Sequence, residues 1–192
     1  MRSYHLDLAK LNSLTKYPSI ETYHPLGEKG RLQSGAPLVS DQVIVTEKID
    51  GTNVRVVLMP DGYFIGSREE LLHYGHDTLF NPAQGIVNYL HEIIDNVWKK
   101  WNKDTLYFNM TVVYGELFGG KVSSGAKQYT GHQHVDFRVF DRFVLESPLF
   151  YEIMAEEVPD IARWRDNGGQ PFSSYETLDV FAGHYGLPMV PA

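Results

Sequence analysis

The chain contains no cysteine among its 192 residues. Disulfide bonds, thiolate metal sites and cysteine nucleophiles are therefore excluded, and any chemistry has to come from lysine, histidine, carboxylates or hydroxyls. Long apolar runs are also absent. Residues 1–10 have no apolar core of signal-peptide length, and no later run approaches the length of a membrane span. We expect a soluble, cytoplasmic domain.

Basic residues are in the minority, with 17 lysines and arginines against 24 acidic residues and a net charge of −7. This balance argues against a protein that binds nucleic acid by bulk charge alone, although it leaves room for a local basic groove. The apolar content of 43% excludes a disordered chain. The length suits one domain with a hydrophobic core, which we take as residues 1–192.

Hydrophobic periodicity divides the rest of the chain into strands and helices. The first forty residues are punctuated by proline and glycine and are expected to be loop-rich. The Pro60-Asp61-Gly62 sequence predicts a hairpin turn, because proline presets φ and glycine accepts positive φ. The pattern predicts strands over residues 43–48, 53–59, 63–67, 106–118 and 135–145, with helices over 86–101, 149–165 and 173–186.

The sharpest motif is Glu47-Lys48-Ile49-Asp50-Gly51-Thr52-Asn53. A lysine buried beside a strand loses solvation, so its pKa falls and its amine becomes a nucleophile. Gly51 would permit a sharp turn and the close approach of a phosphate. The alternative is an ordinary hairpin turn with a solvated lysine, and the motif alone does not decide between them.

Four further segments carry polar or aromatic residues in predicted loops, turns or strands: Lys16 to Glu21, Gly66-Ser67-Arg68, Tyr114 to Gly119, and Phe137 to Asp141. Taken alone, each has an ordinary explanation, such as a polar loop, a solvated turn arginine, a strand-end glutamate or a core phenylalanine. Strand alternation predicts that Phe140 lies on the face opposite Phe137, Val139 and Asp141. One of the two phenylalanines is then expected to be core.

Taken in order, the Lys48 motif and the last three of these segments resemble motifs I, Ia, III and IIIa of the covalent nucleotidyltransferases, which include DNA ligases, RNA ligases and capping enzymes. The residues of the Lys48 motif are most similar to those of the RNA ligase 2-like family of phage and RNA-editing ligases, whose N-terminal segment the Lys16 run also resembles. The resemblance implies an α+β fold, built on the antiparallel sheet of an ATP-dependent ligase adenylation domain. It covers residues 16–145.

The resemblance also implies a role for each matching residue. Lys48 would attack ATP and form a covalent lysyl-AMP, with Mg²⁺ or Mn²⁺ as the metal. RNA ends, a 5′-phosphate and a 3′-hydroxyl, would then be joined. Glu116 would hold the ribose or the metal, and Phe140 would stack on adenine. The other nucleotide contacts would be Glu47, Asp50, Gly51, Asn53 and Arg68. Lys121, Lys127 and Arg138 would contact RNA, although each is equally consistent with a solvated charge.

Two expected motifs are missing from the chain. The family's motif IV, Glu-Gly-x-Val/Ile, and motif V, Lys-x-Lys, do not occur after Asp141. We therefore expect this adenylation domain to be incomplete at its C-terminus. Two alternatives stay open. One is a nucleotide- or RNA-binding module without ligase turnover. The other is a DNA ligase or capping-type enzyme, since Asp50 stands where the RNA ligases often have histidine.

Overall fold

The computed structural model describes residues 6–20, 25–31, 33–34, 43–75, 77–79, 85–104, 109–120, 122 and 134–192. Within these residues the chain is α+β, with six strands and five α-helices. The strands are β1 Thr52–Met59, β2 Gly62–Ser67, β3 Leu71–Tyr74, β4 Asp77–Thr78, β5 Asn109–Gly119 and β6 Val135–Glu146. The helices are α1 Leu8–Thr15, α2 Ile86–Asp104, α3 Ser147–Ala155, α4 Val158–Asp166 and α5 Tyr175–Tyr185. A 3₁₀ turn spans Glu28–Gly30.

All six strands form one antiparallel sheet in the order β4-β3-β2-β1-β5-β6. β1 and β2 are joined by the predicted hairpin, in which Met59 pairs with Gly62 across the turn. The short strands β3 and β4, which the sequence pattern does not predict, extend this hairpin at the edge. The expected antiparallel α+β fold is confirmed.

The sheet is covered by helices on both faces, because β1 carries apolar side chains on both sides. Val54 and Val56 pack with residues of α2 and α5 in one core. Val57 and Met59 face a second core that receives residues of α1, α3 and α4. Such a two-sided covering leaves the ends of the strands, rather than the faces of the sheet, as the place where polar side chains collect.

Residues 43–48 do not form the predicted strand. They are coil, and Val43, Ile44 and Val45 are 58%, 52% and 76% exposed. The β-forming tendency of such residues becomes a strand only where a neighbouring strand accepts its hydrogen bonds. One such bond is present, from the Glu47 N–H to the Pro191 carbonyl at 2.9 Å.

The N-terminal region contains a helix that the sequence pattern does not predict. α1 begins after Asp7, whose Oδ1 accepts hydrogen bonds from the N–H groups of Ala9 at 2.9 Å and Lys10 at 3.1 Å. This is a regular N-cap. The helix is only 8 residues long, so it depends on the burial of Leu11 and Leu14 against the second core.

The C-terminal segment beyond α5 extends the sheet on its β6 side. α5 ends at Gly186, whose φ of 70° is the left-handed conformation that commonly stops a helix. Val139 then donates to the Pro188 carbonyl at 2.8 Å and accepts from the Val190 N–H at 2.9 Å, in a parallel bridge to Met189. None of the helices in the described ranges has the length and apolar character needed to cross a bilayer.

Candidate active site

The register of the sheet places three polar residues in one row at the ends of the strands, with Arg68 just beyond the last residue of β2. Asn53 of β1 pairs with Glu116 of β5, and Glu116 pairs with Arg138 of β6. Val54 pairs with Ser67, so Arg68 comes next to Asn53 at the end of β2. Directly paired residues point to the same face of an antiparallel sheet. Sequence motifs far apart in the chain therefore meet at one edge.

Lys48 precedes β1 and lies exposed beside this row. The Glu116 carboxyl is within electrostatic range of Lys48, Asp50 and Arg68, which gathers the four charged residues of the proposed site. Lys48 lies in coil before β1 with its side chain exposed, which agrees with the solvated alternative rather than with a lysine buried beside a strand.

Glu116 is the half-buried acid at the centre of the row. Its Oε1 accepts a hydrogen bond from the Gly51 N–H at 3.1 Å. Burial raises the pKa of the Glu116 carboxyl, and the Gly51 N–H and the positive charge of Lys48 only partly oppose that shift. The hydrogen bond ties the Lys48 motif to β5.

Gly51 is needed for the close approach of the motif to β5. A Cβ at this position would lie 2.4 Å from the Leu117 carbonyl oxygen and 2.9 Å from Glu116 Cγ. The first contact is with backbone and cannot be relieved by a rotamer change. Glycine is therefore required because the Lys48 motif packs closely against β5. The sequence does not indicate this contact.

We expect Gly51→Ala to lower the free energy of unfolding by about 1–3 kcal/mol, because the added methyl group overpacks a backbone contact. The measurement is urea unfolding. Gly183→Ala on α5 is the matched control, because a Cβ at that position would meet no atom within 4 Å. That change should be neutral or slightly stabilising, since alanine is the better helix former. Equal stability of the two variants would contradict the role given to Gly51.

Asn53 places a buried hydrogen-bond acceptor in the site. Its side-chain Oδ1 is buried and accepts no hydrogen bond from the described part of the chain. Buried polar atoms are nearly always paired in folded proteins, so a ligand that donates a hydrogen bond to this oxygen would satisfy it.

A β-bulge sets the position of Phe140. Tyr114 pairs with Asp141 but Gly115 pairs with Val139, so Phe140 is the extra residue on β6. Phe137 is 2% exposed in the first core. Phe140 is half-buried on the other side of the sheet, packed against Ile49, Phe118 and Val190. This contact brings Phe140 next to the Lys48 motif.

The alternation prediction fails at one residue because of this bulge. Phe140 lies opposite Phe137 and Val139 as expected, but Asp141 shares its side of the sheet. Tyr17 contacts both: its hydroxyl donates to Asp141 Oδ2 at 3.0 Å and its ring centroid lies 5.2 Å from that of Phe140. An extra residue in a strand interrupts the two-residue period, so simple alternation cannot be carried across it.

The basic candidates differ in their surroundings. The Arg138 guanidinium pairs with Asp136 at 2.9 Å. The Arg68 side chain is 61% exposed, with Nε 3.8 Å from Glu69 Oε1, which leaves it able to turn towards a ligand. Lys121 and Lys127 lie outside the described residues, so their predicted RNA contacts have no structural account.

The donor set suits a metal ion that is carried by a substrate. In the ranges that the structure describes, no group of three or more histidine, aspartate or glutamate side chains could enclose an ion. The half-buried Glu116 carboxylate and Asp50 lie within electrostatic range of each other. Mg²⁺ typically takes one or two carboxylates and fills its remaining positions with phosphate oxygens and water. The residues present fit that arrangement.

A search of solved structures finds Naegleria gruberi RNA ligase in several forms. A variant with ATP and Mn matches with a TM-score of 0.48 and 14% identity, over 76% of this chain and 34% of that chain. The form with PPi matches with a TM-score of 0.47 and 14% identity over the same shares of the two chains. The present chain thus spans about a third of the length of the structures that it matches.

The family itself is given by a sequence comparison. Curated proteins offer no match. The model of the RNA ligase family matches residues 41–192, which is most of the chain and includes the Lys48 motif, Glu116 and Phe140. The chain belongs to the RNA ligase family.

Proposed function

We propose that this chain is the nucleotidyltransferase domain of an ATP-dependent RNA ligase, with Lys48 as the nucleophile. The observation that carries the proposal is the hydrogen bond from the Gly51 N–H to Glu116, which joins the Lys48 motif to the acid in a member of the RNA ligase family. A lysine beside an arginine and two carboxylates can attack a phosphate, bind its charge and hold an associated cation. Residues 1–192 are taken as a single domain within this proposal.

The first step joins Lys48 to AMP. The neutral Nζ attacks the α-phosphorus of ATP and forms a P–N bond. The bond from that phosphorus to the oxygen bridging to the β-phosphate breaks, pyrophosphate leaves, and the proton of the amine passes to solvent. Arg68 would bind phosphate oxygens, because a guanidinium matches their geometry. Phe140 would stack on the adenine, and Asn53 and the Glu47 backbone would border the nucleotide.

A divalent cation belongs to this proposal. Glu116 and Asp50 would hold it together with the phosphates of ATP. When bound, it neutralises charge on the triphosphate. Mn accompanies ATP or AMP in the Naegleria gruberi structures, and we propose the same kinds of ligand for this chain.

RNA ends are the proposed acceptors of the activated AMP. The oxygen of an RNA 5′-phosphate attacks the phosphorus of lysyl-AMP, and the Lys48 amine leaves. A 3′-hydroxyl then attacks the 5′-phosphate, AMP leaves, and the strand is sealed. Membership of the RNA ligase family supports RNA as the substrate. Cytoplasmic localisation stays a prediction.

Intact mass after incubation with ATP and Mg²⁺ or Mn²⁺ tests the proposal. The wild-type chain should gain one AMP, and Lys48→Ala should gain none. Labelling by GTP instead of ATP would indicate a capping-type enzyme, and preference for nicked DNA over nicked RNA would indicate a DNA ligase. ATP binding without any adduct would reduce the chain to a nucleotide-binding module. Absence of both binding and adduct would contradict the proposal.

A further inference from the structure

Tyr17 lies at the back of the proposed adenine contact. Its ring meets Phe140 edge-on, with centroids 5.2 Å apart and planes at 85°. It also packs on Tyr114 at 4.8 Å and on Phe172 at 5.6 Å. The Tyr17 hydroxyl donates to Asp141 Oδ2 at 3.0 Å. The ring is therefore held at its edge by three aromatic side chains and at its tip by a carboxylate.

The exit of the chain from α1 fixes where Tyr17 goes. The last carbonyls of a helix lack partners within the helix. Here the Tyr114 hydroxyl donates to the Thr15 carbonyl at 2.8 Å. The buried Gln170 amide donates to the carbonyls of Leu14 at 2.9 Å and Lys16 at 3.0 Å. Three successive carbonyls are thus anchored by side chains of the domain core, and the next residue is Tyr17.

The bulge in β6 completes the arrangement. Without it, Asp141 would point away from Phe140. With it, both residues lie on the side of Tyr17, and one tyrosine contacts the carboxylate and the phenyl ring at once. Burial and the neighbouring Asp141 charge raise the pKa of the Tyr17 hydroxyl, so it stays a hydrogen-bond donor at neutral pH.

We propose that Tyr17 is a positioning residue of the nucleotide site. By donating to Asp141 and packing edge-on against Phe140, it holds the Phe140 ring in the orientation that stacks on the adenine. This inference rests on the proposed function, in which Phe140 contacts the base. It assigns the N-terminal segment, which lies before the residues matched by the family model, a part in nucleotide binding.

The test compares binding of two probes to the full chain by calorimetry. AMP carries the base, and inorganic tripolyphosphate carries only the charge. Tyr17→Phe keeps the ring and loses the hydroxyl, and we expect AMP affinity to fall about threefold to tenfold. Tyr17→Ala should weaken AMP binding by more than about tenfold, since the aromatic contact is lost as well. Affinity for tripolyphosphate should not change in either variant.

A further variant serves as the control. Tyr185→Phe makes the same chemical change as Tyr17→Phe at a distant bond, from the Tyr185 hydroxyl to Asp104 at 3.2 Å, and should leave both affinities unchanged.

The failures are distinguishable. If Tyr17→Phe lowers the melting temperature but binds AMP as tightly as the wild type, Tyr17 is only structural and the inference is overturned. Equal loss of AMP and tripolyphosphate binding would also overturn it, because the loss would then not depend on contact with the adenine. If the wild type binds neither probe, the proposed function fails first and the role of Tyr17 falls with it.

Discussion

Replacing Lys48 with arginine is expected to abolish transfer of AMP to the protein while leaving the fold intact. Arginine keeps the positive charge near Glu116, but its guanidinium stays protonated and has no electron pair for attack on phosphorus. Removal of a nucleophile lowers the rate of the chemical step by about 10⁴-fold to 10⁶-fold. Because Lys48 is exposed, the free energy of unfolding should change by less than about 0.5 kcal/mol.

The measurement is incorporation of radiolabelled AMP from ATP, with a urea unfolding curve for each variant. Lys99→Arg is the matched control, because its side chain is 59% exposed on α2, away from the row of polar residues. It should label as the wild type does. Wild-type labelling of Lys48→Arg would show that another lysine carries the nucleotide, and the assignment of Lys48 would be wrong.

Most of the sheet can be predicted because its strands carry their own signals. β1 and β2 combine β-branched and aromatic residues with a Pro60-Asp61-Gly62 turn, and the turn alone sets which residues pair. The predicted bounds of β5 and β6 agree with the structure to within a few residues. The predictions of secondary structure fail where the local preference of the residues is not matched by a neighbouring element that could pair or pack with them. Residues 43–48 have strand-forming side chains but find no full neighbouring strand among the described residues, whereas α1 is too short to show a clear periodicity.

The site is predictable as a set of motifs but not as a set of contacts. The motifs identify Asn53, Glu116 and Arg138 separately. They do not predict that the strand register places these three residues in one row. The exposure of Lys48 cannot be foreseen either, because it depends on how residues 43–48 pack. The contact between Tyr17 and Asp141 joins residues 124 apart, and it depends on a bulge that interrupts the strand period. No spacing rule reaches across such a distance.

Replacing Glu116 with glutamine is expected to stabilise the protein at neutral pH and to slow AMP transfer. Glutamine keeps an oxygen for the Gly51 N–H and removes a half-buried charge. Burial raises the pKa of the Glu116 carboxyl in the folded state above its ordinary value of 4.5, so the folded state binds a proton more tightly than the unfolded state. The carboxyl therefore costs stability at neutral pH, and the cost disappears as the pH falls below 4.5.

The sign of the difference in stability between Glu116→Gln and the wild type distinguishes an acid kept for function from one kept for stability. A glutamate whose charge stabilised the fold would instead make Glu116→Gln less stable than the wild type at pH 8. Here the variant should unfold at a higher urea concentration than the wild type at pH 8, and the gap should close towards pH 4. Glu152→Gln, at an exposed position on α3, should show no such dependence. Glutamine is neutral and so lacks the negative charge that would bind the cation. The rate of labelling by ATP should therefore fall by about 10²-fold. A variant that is both more stable and less active would mean that the charge of Glu116 is kept for the reaction, at a cost to the fold.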